Sequence, residues 1–168
     1  MRTVFYVVVY GFLGFTLERV INLVAYGEWY DNRVLTFPVQ PMYGLGVVLA
    51  LVIFRFMKRF PLNSVLRVAL LFPIAILTTA FSEWLSGEGY ELLGGGTLWD
   101  YGQTFSFCTY PYVCLLPTTL FGILSALAIL FVHPAIEKAS DHLHPWLMVA
   151  VTGGVALDMA ITYIAMAT

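Results

Sequence analysis

The chain has 168 residues, of which 60% are hydrophobic and 11% charged, and its formal net charge is −2. Its mean hydropathy of +0.85 leaves too little polar surface to cover a soluble domain of this size. The net charge is small, and no basic stripe interleaves with aromatic residues, so nucleic acid is excluded as a partner. We therefore expect an integral membrane protein.

Five apolar runs of about 20 residues follow one another along the chain. They predict a single all-α domain over residues 1–168, a bundle of five transmembrane helices with spans at about 3–26, 39–57, 64–86, 112–133 and 145–167. The second span is the shortest. Pro38 and Pro41 bracket its start and predict an extended stretch before Tyr43.

Later spans carry their own breaks and one long connection. Pro73 and Pro117 fall inside spans and predict kinks. The connection from about Gly87 to Pro111 contains three successive glycines and many aromatic residues, which favours an ordered interfacial or re-entrant loop.

Two cysteines, Cys108 and Cys114, lie six residues apart at the end of this connection. A disulfide between them would form in an oxidising compartment. The alternative is a pair of free thiols, and the sequence leaves both open.

The basic residues fall mainly on one side of the predicted bundle. Six of the eight lie at span ends and loops on the side of the N-terminus: Arg2, Arg55, Lys58, Arg59, Arg67 and Lys138. Most of the acidic residues fall on the other side. The positive-inside rule therefore predicts a multi-pass protein of the cell membrane with its N-terminus in the cytoplasm and its C-terminus outside.

Three acidic residues lie inside three different spans. The helical rise puts Glu18, Glu83 and Asp158 about 21, 25 and 18 Å from the inner ends, in the outer half of the membrane. A carboxylate in hydrocarbon costs several kcal/mol, so we expect the three to face the bundle. Gly14 and Gly154, four residues before two of them, are small enough to let a partner helix approach.

Four short motifs make the chain resemble a known family. They are Gly14-Phe15-x-x-Glu18, Asn32-Arg33-x-Leu35-x-x-Pro38-x-x-Pro41-x-Tyr43-Gly44-x-Gly46, Glu83-Trp84-x-x-Gly87 and Trp99-Asp100-Tyr101. With them the chain resembles the CmpB-like family of small polytopic membrane proteins, labelled ABC-transporter type IV permeases, from about Gly11 to Gly122. Asp158 matches a position where that family tends to carry an acid. Where the family usually has Asn-x-x-Gly-Arg-Ile-Cys-Leu, this chain runs from Cys108 to Leu115 without that Asn and Arg.

The resemblance implies a role related to transport. The chain has no Gly-x-x-x-x-Gly-Lys-Ser/Thr phosphate loop, so an ABC-type function would need a separate ATPase. Five spans are few for a complete transport path, which favours a homodimer or a partner subunit. The basic segment from Arg55 to Arg67 could dock such a partner, or it could contact anionic headgroups of membrane lipid.

The motif residues converge on the outer membrane face, which suggests a ligand-binding site formed by Glu18, Arg33, Tyr43, Glu83, Asp100, Tyr101 and Asp158. Four carboxylates with one or two arginines in a poorly solvated pocket favour a cation, a proton or a cationic ligand. The four acids, Glu18, Glu83, Asp100 and Asp158, are also the candidate metal ligands, and the sequence identifies no cofactor. The alternative is a hydrogen-bond network that only holds the helices together.

A membrane-embedded enzyme acting on lipid at the outer leaflet is the main rival to a transport or ligand-binding component. His133, His142 and His144 all fall on the inner side, so a Ser-His-Asp arrangement at the outer site is not expected. The carboxylates could still bind a divalent ion or act as general base while Arg33 holds a lipid phosphate. A structural or partner-binding membrane subunit is a second alternative. No motif identifies a catalytic residue.

Overall fold

A computed structural model describes residues 2–27, 29, 31 and 33–167, so Asn32 of the second motif lies outside the described residues. The helices of the described residues are α1 (Arg2–Tyr26), α2 (Pro41–Phe56), α3 (Ser64–Leu92), α4 (Tyr101–Thr104), α5 (Leu115–Leu127), α6 (His133–Asp141) and α7 (Pro145–Ala167). A 3₁₀ turn (Met57–Arg59) extends α2, and a π turn (Ala128–Val132) joins α5 to α6.

Among the described residues, five helical stretches are long and apolar enough to cross a membrane: Arg2–Ala25, Pro41–Arg59, Ser64–Leu92, Leu115–Asp141 and Pro145–Met166. They confirm the predicted all-α bundle of five spans. The second begins at Pro41, directly after an N-cap residue with extended backbone, Gln40. The stretch before α2 is therefore non-helical, with bends over residues 34–38 and an extended Gln40, and it ends two residues earlier than predicted.

The end of the third span was predicted too early. Helix α3 continues to Leu92, six residues beyond the predicted end at 86. Gly87 does not interrupt it, and the ring of Tyr112 packs where a Cβ on Gly87 would stand. The long connection therefore begins at Leu93 and not at Gly87.

The fourth span is also longer than predicted, and it starts later. It begins at Leu115, which places Pro117 in the first helical turn, where no backbone hydrogen bond is lost. The kink predicted at Pro117 is therefore wrong. Near the other end, Pro134 cannot bond to the carbonyl four residues earlier, which accounts for the preceding π turn, and the helix continues to Asp141.

Helix α2 lies at the centre of the bundle. It packs against α1 on one side and α3 on the other, while α5 packs on α3 and α7 on α1. A Cβ on Gly44 of α2 would overlap the backbone of Val7 in α1, so the two helices are in direct backbone contact. On α7, Leu157, Ile161 and other large apolar side chains stay exposed, as expected where the solvent is lipid.

The chain between α1 and α2 returns deep into the bundle. The Gln40 N–H donates to the Gly11 carbonyl oxygen over 3.2 Å, and Gly11 lies about 14 Å along α1 from Arg2. Leu35 and Val39 are buried in a small cluster with Val155 of α7. Non-helical backbone therefore reaches membrane depth here, which is tolerated only where its polar groups are satisfied or face a cavity.

Residue choice keeps this returning backbone satisfied. Pro38 and Pro41 carry no N–H, so two donors are absent from the stretch. The Phe37 N–H donates to Oδ2 of Asp158 over 2.9 Å. Asp158 thereby joins α7 to the segment between α1 and α2.

At the end of the bundle where α1 begins and α2 ends, charged and polar side chains join three helices, α1, α2 and α6. Arg2 pairs with Asp141, and Arg55 pairs with Glu137, each over 2.6 Å. Arg55 also contacts Nε2 of buried His133 over 3.1 Å, and the Tyr10 hydroxyl lies 3.0 Å from its Nδ1. We call this the basic end, and the opposite end, which carries Glu18, Glu83, Asp100 and Asp158, the acidic end.

The connection 93–114 is ordered by its own contacts. The Tyr101 N–H donates to the Pro111 carbonyl over 2.8 Å, and the Trp99 indole donates to the Tyr112 carbonyl over 3.3 Å. Cys108 and Cys114 form a disulfide with their Cα atoms 5.4 Å apart. The disulfide alternative is the one that the structure contains, and it closes the last part of the connection, between α4 and α5.

Candidate functional site

A cavity of about 730 Å³ opens at the acidic end of the bundle. Its wall is formed by α1, the segment from Val34 to Tyr43, the loop around α4, α5 and Tyr163 of α7. Four of the seven predicted ligand-binding residues line it: Glu18, Tyr43, Asp100 and Tyr101. Most of the other lining side chains are apolar, Leu120 and Phe121 among them. The cavity thus combines a few polar groups with a largely apolar wall, as ligand sites commonly do.

Glu18 is held by a tyrosine from the next helix. The Tyr43 hydroxyl donates to Oε2 of Glu18 over 2.8 Å. The approach depends on Gly14, because a Cβ there would overlap the Tyr43 side chain. The predicted close approach at Gly14 is therefore confirmed, and it brings the start of α2 to the carboxylate of α1.

Glu83 lies behind the cavity wall and not in it. Its side chain is buried, and it accepts hydrogen bonds from the Tyr101 hydroxyl over 2.9 Å and from the Thr118 hydroxyl over 2.5 Å. The Cys114 N–H in turn donates to the Thr118 oxygen over 3.2 Å. Glu83 therefore fixes Tyr101 and joins α3 to the loop and to α5.

The loop places Asp100 and Tyr101 in the cavity wall. Asp100 caps α4, because its Oδ1 accepts the Gly102 N–H over 2.7 Å. Burial raises the pKa of Tyr101, and the nearby carboxylates of Glu83 and Glu18 raise it further. Tyr101 therefore keeps its proton and remains a donor between the two glutamates.

The other predicted residues have partners elsewhere. Arg33 does not line the cavity, and its guanidinium pairs with Asp31 over 2.7 Å on an exposed stretch. Hydrogen bonding to Arg33 lowers the pKa of Asp31. Asp158 accepts the Phe37 N–H, as described above, and is also absent from the cavity wall. The acids are therefore distributed over several separate hydrogen-bonded groups, and Arg33 does not face them across the cavity.

The four candidate metal ligands do not form a cluster. Within the part of the chain that the structure describes, no group of three or more His, Cys, Asp or Glu side chains is arranged to bind a metal ion. Glu18 and Asp100 share the cavity wall, whereas Glu83 lies behind Tyr101 and Asp158 lies against the Phe37 amide.

Sequence reasoning missed several residues of the site. Thr118 completes the Glu83 group, and Ser86 and Phe121 line the cavity. Single Thr, Ser or Phe residues in an apolar helix carry no sequence signal. Only the position of Thr118, four residues after Cys114 at the N-cap of α5, could have indicated that its hydroxyl contacts the Cys114 N–H.

Five spanning helices with a cavity at one end define a polytopic helical membrane protein with a candidate ligand-binding site. The chain belongs to the CmpB family of ABC-transporter-related membrane proteins: the family model described as "Putative ABC-transporter type IV" matches residues 5–165. This match confirms the family resemblance seen in the four motifs. No curated protein and no solved structure matches the chain.

Proposed function

We propose that this protein is a transport or ligand-binding component that binds an organic cation in the cavity at its acidic end. The observation that carries the proposal is the placement of Glu18 and Asp100 in the wall of one cavity of about 730 Å³. Trp99, Tyr43 and Tyr101 add aromatic rings to the same wall. Carboxylates and aromatic faces are the two groups that proteins use to bind organic cations.

The hydrogen bonds around the cavity leave room for a positive ligand charge. Asp100 accepts from a backbone amide and from the Gln103 side chain, and Glu83 behind the wall accepts from two hydroxyl groups. The donors to Asp100 are neutral, so they orient its carboxylate in the cavity wall without cancelling its charge. A bound cation would supply that compensation in a poorly solvated site.

We further propose that the acidic end faces outward in the cell membrane, with the N-terminus in the cytoplasm. The distribution of the basic residues supports this orientation. The Cys108–Cys114 disulfide lies at the acidic end, and disulfides persist on the oxidising side of a cell membrane. The cavity would then receive its ligand from outside or from the outer leaflet.

A transport cycle would require further subunits. The chain lacks a phosphate loop, so ATP-driven movement needs a separate ATPase. A homodimer or a partner subunit would complete the path that five helices alone leave short.

Binding of tetraethylammonium to the protein in lipid nanodiscs tests the proposal, with thermal stabilisation and calorimetry as readouts. Glu18→Gln keeps an acceptor for Tyr43 and Asp100→Asn keeps the cap of α4, so both variants should fold yet bind at least about tenfold more weakly. Asp141→Asn removes a carboxylate at the basic end and is the matched control, with unchanged binding. Equal affinity in all four proteins at equal ionic strength contradicts the proposal. Recovery of the probe chemically unchanged separates binding from catalysis.

A further inference from the structure

A second hollow adjoins the cavity and extends toward the basic end. It is a groove of about 260 Å³ between α1 and α5, and it shares Tyr43, Phe121 and Leu124 with the cavity. The shared residues make the two hollows neighbours with a common wall. The rings of Tyr43 and Phe121 lie with their centroids 5.3 Å apart, so a ligand with its head in the cavity would reach the groove by passing these two side chains.

The groove follows from how the helices pack. Helices α1 and α5 both contact α2, so Tyr43 and Val47 of α2 form the floor between them. Leu13 and Leu17 form one wall. Along α5, the groove runs from Phe121 into the π turn, over roughly 16 Å.

The chemistry of the groove fits an alkyl chain. Ser125 is a polar residue in its wall, and its hydroxyl donates to the Phe121 carbonyl of its own helix. Tyr10 also lines the groove, and its hydroxyl contacts His133, which joins α1 to α6. These hydroxyls already have partners, so the groove offers a ligand mainly apolar contacts.

The groove is also open toward the bilayer. Leu13, Leu17, Leu124 and Val132 on its rims are each between 37% and 42% exposed. In a spanning bundle such exposure faces hydrocarbon, so a chain that already lies in the membrane can enter sideways without crossing water.

We infer that the ligand is a membrane-resident amphiphile with an amine or quaternary ammonium head and an alkyl chain, the head in the cavity beside Glu18 and Asp100, the chain in the groove. This inference rests on the proposed function and specifies its ligand class. Charge complementarity selects the head, because Glu18 and Asp100 would repel a phosphate. The apolar groove that adjoins the cavity favours an alkyl chain on the ligand.

Photolabelling in nanodiscs of phosphatidylcholine tests the inference. The probe is a dodecyltrimethylammonium with a diazirine at the end of its chain, and mass spectrometry locates the labelled peptides. Label is expected on residues 10–17 of α1 and 124–132 of α5 and the π turn. Ala128→Phe fills the groove and should reduce that labelling at least about tenfold. Leu127→Phe changes the neighbouring exposed residue, which does not line the groove, and should leave labelling unchanged.

A probe with the same chain and a neutral hydroxyl head gives a comparison that needs no variant. It should label the groove no more than the exposed face of α7. Equal groove labelling by both probes, or equal labelling of wild type and Ala128→Phe, overturns the inference. If tetraethylammonium binding still depends on Glu18 in that case, the proposed function survives and only the amphiphile is excluded. If groove labelling fails in this way and tetraethylammonium binding does not depend on Glu18 either, both the amphiphile inference and the proposed function are excluded.

Discussion

The two ends of the bundle differ in the groups that contact their carboxylates. At the basic end, Glu137 and Asp141 pair with arginines, and those pairs join α2 to α6 and α1 to α6. At the acidic end, Glu83 and Asp100 are oriented by hydroxyl and amide groups around a cavity. Charge pairing therefore closes the basic end, whereas neutral donors orient Glu83 and Asp100 around the cavity at the acidic end.

Buried His133 shows how completely the basic end is satisfied. A guanidinium can only donate, so Nε2 of His133 accepts from Arg55, and Nδ1 must carry the proton and donate to Tyr10. Each ring nitrogen therefore has a defined role. Tyr10 also lines the groove, so the contacts of the basic end hold one of the groove's lining residues.

We expect the largest loss of stability from a substitution at Gly44, where α1 and α2 are in direct backbone contact. Gly44→Leu forces a side chain into the backbone of Val7 and should cost more than about 3 kcal/mol, enough to prevent recovery of folded protein. Size-exclusion chromatography and thermal unfolding measure it. A Cβ on Gly153 of α7 would meet no described atom within 4 Å, so Gly153→Leu serves as control. Normal folding of Gly44→Leu would contradict the close packing on which both ends depend.

Removal of the disulfide should affect the acidic end alone. Closing a loop of this size contributes about 2 kcal/mol in the chain-entropy account, so Cys108→Ser with Cys114→Ser should unfold at lower temperature and expose the loop to chymotrypsin near Phe107. Reductant should have the same effect on wild type and none on the double variant. If reductant leaves the loop of wild type protected, the loop is held by its other contacts.

We expect a smaller loss of stability when the contacts of Arg55 at the basic end are removed. Arg55→Met removes a donor from His133 and a partner from Glu137. The ion pair contributes little, because its side chains are 40% and 48% exposed. Most of the loss of about 1 to 2 kcal/mol should come from the buried histidine. Thermal unfolding should show this loss, whereas Lys138→Met, an exposed cation of α6, should show none.

The same pair of variants tests the independence of the two ends. Arg55→Met should leave tetraethylammonium affinity unchanged, because neither Arg55 nor His133 is among the residues that line the cavity. A parallel loss of stability and affinity would show that the ends are coupled through α2.

Hydropathy and helix rise made the bundle predictable, because both are local properties of the sequence. They gave five spans and placed Glu18, Glu83 and Asp158 at similar depth. Hydropathy does not mark where a helix stops beyond the membrane core, so the extension of α3 to Leu92 was missed.

The division of the acids was not predictable, since it depends on partners distant in sequence. Asp158 accepts from a backbone amide, and nothing in the sequence around Phe37 marks that amide as a donor. Arg33 pairs with Asp31, two residues earlier in the sequence, although its motif suggested that Arg33 would line the ligand-binding pocket. Spacing placed the carboxylates at one end, but only tertiary contacts decided which of them line the cavity.

The smallest expected effect concerns Thr118, one of the two hydroxyl donors to Glu83. Thr118→Val keeps the shape of the side chain and removes two hydrogen bonds, the one donated to Glu83 and the longer one accepted from the Cys114 N–H, which should cost about 1 kcal/mol in thermal unfolding. Because Glu83 also fixes Tyr101, tetraethylammonium should bind several-fold more weakly as the cavity wall loosens. Thr119→Val, one residue along α5, is the matched control and should change neither value. A Thr118→Val protein with lower stability but full affinity for tetraethylammonium would contradict this prediction. The neutral donors at the acidic end would then hold the helices together without shaping the cavity. The two ends would differ only in the charge of the groups that contact their carboxylates.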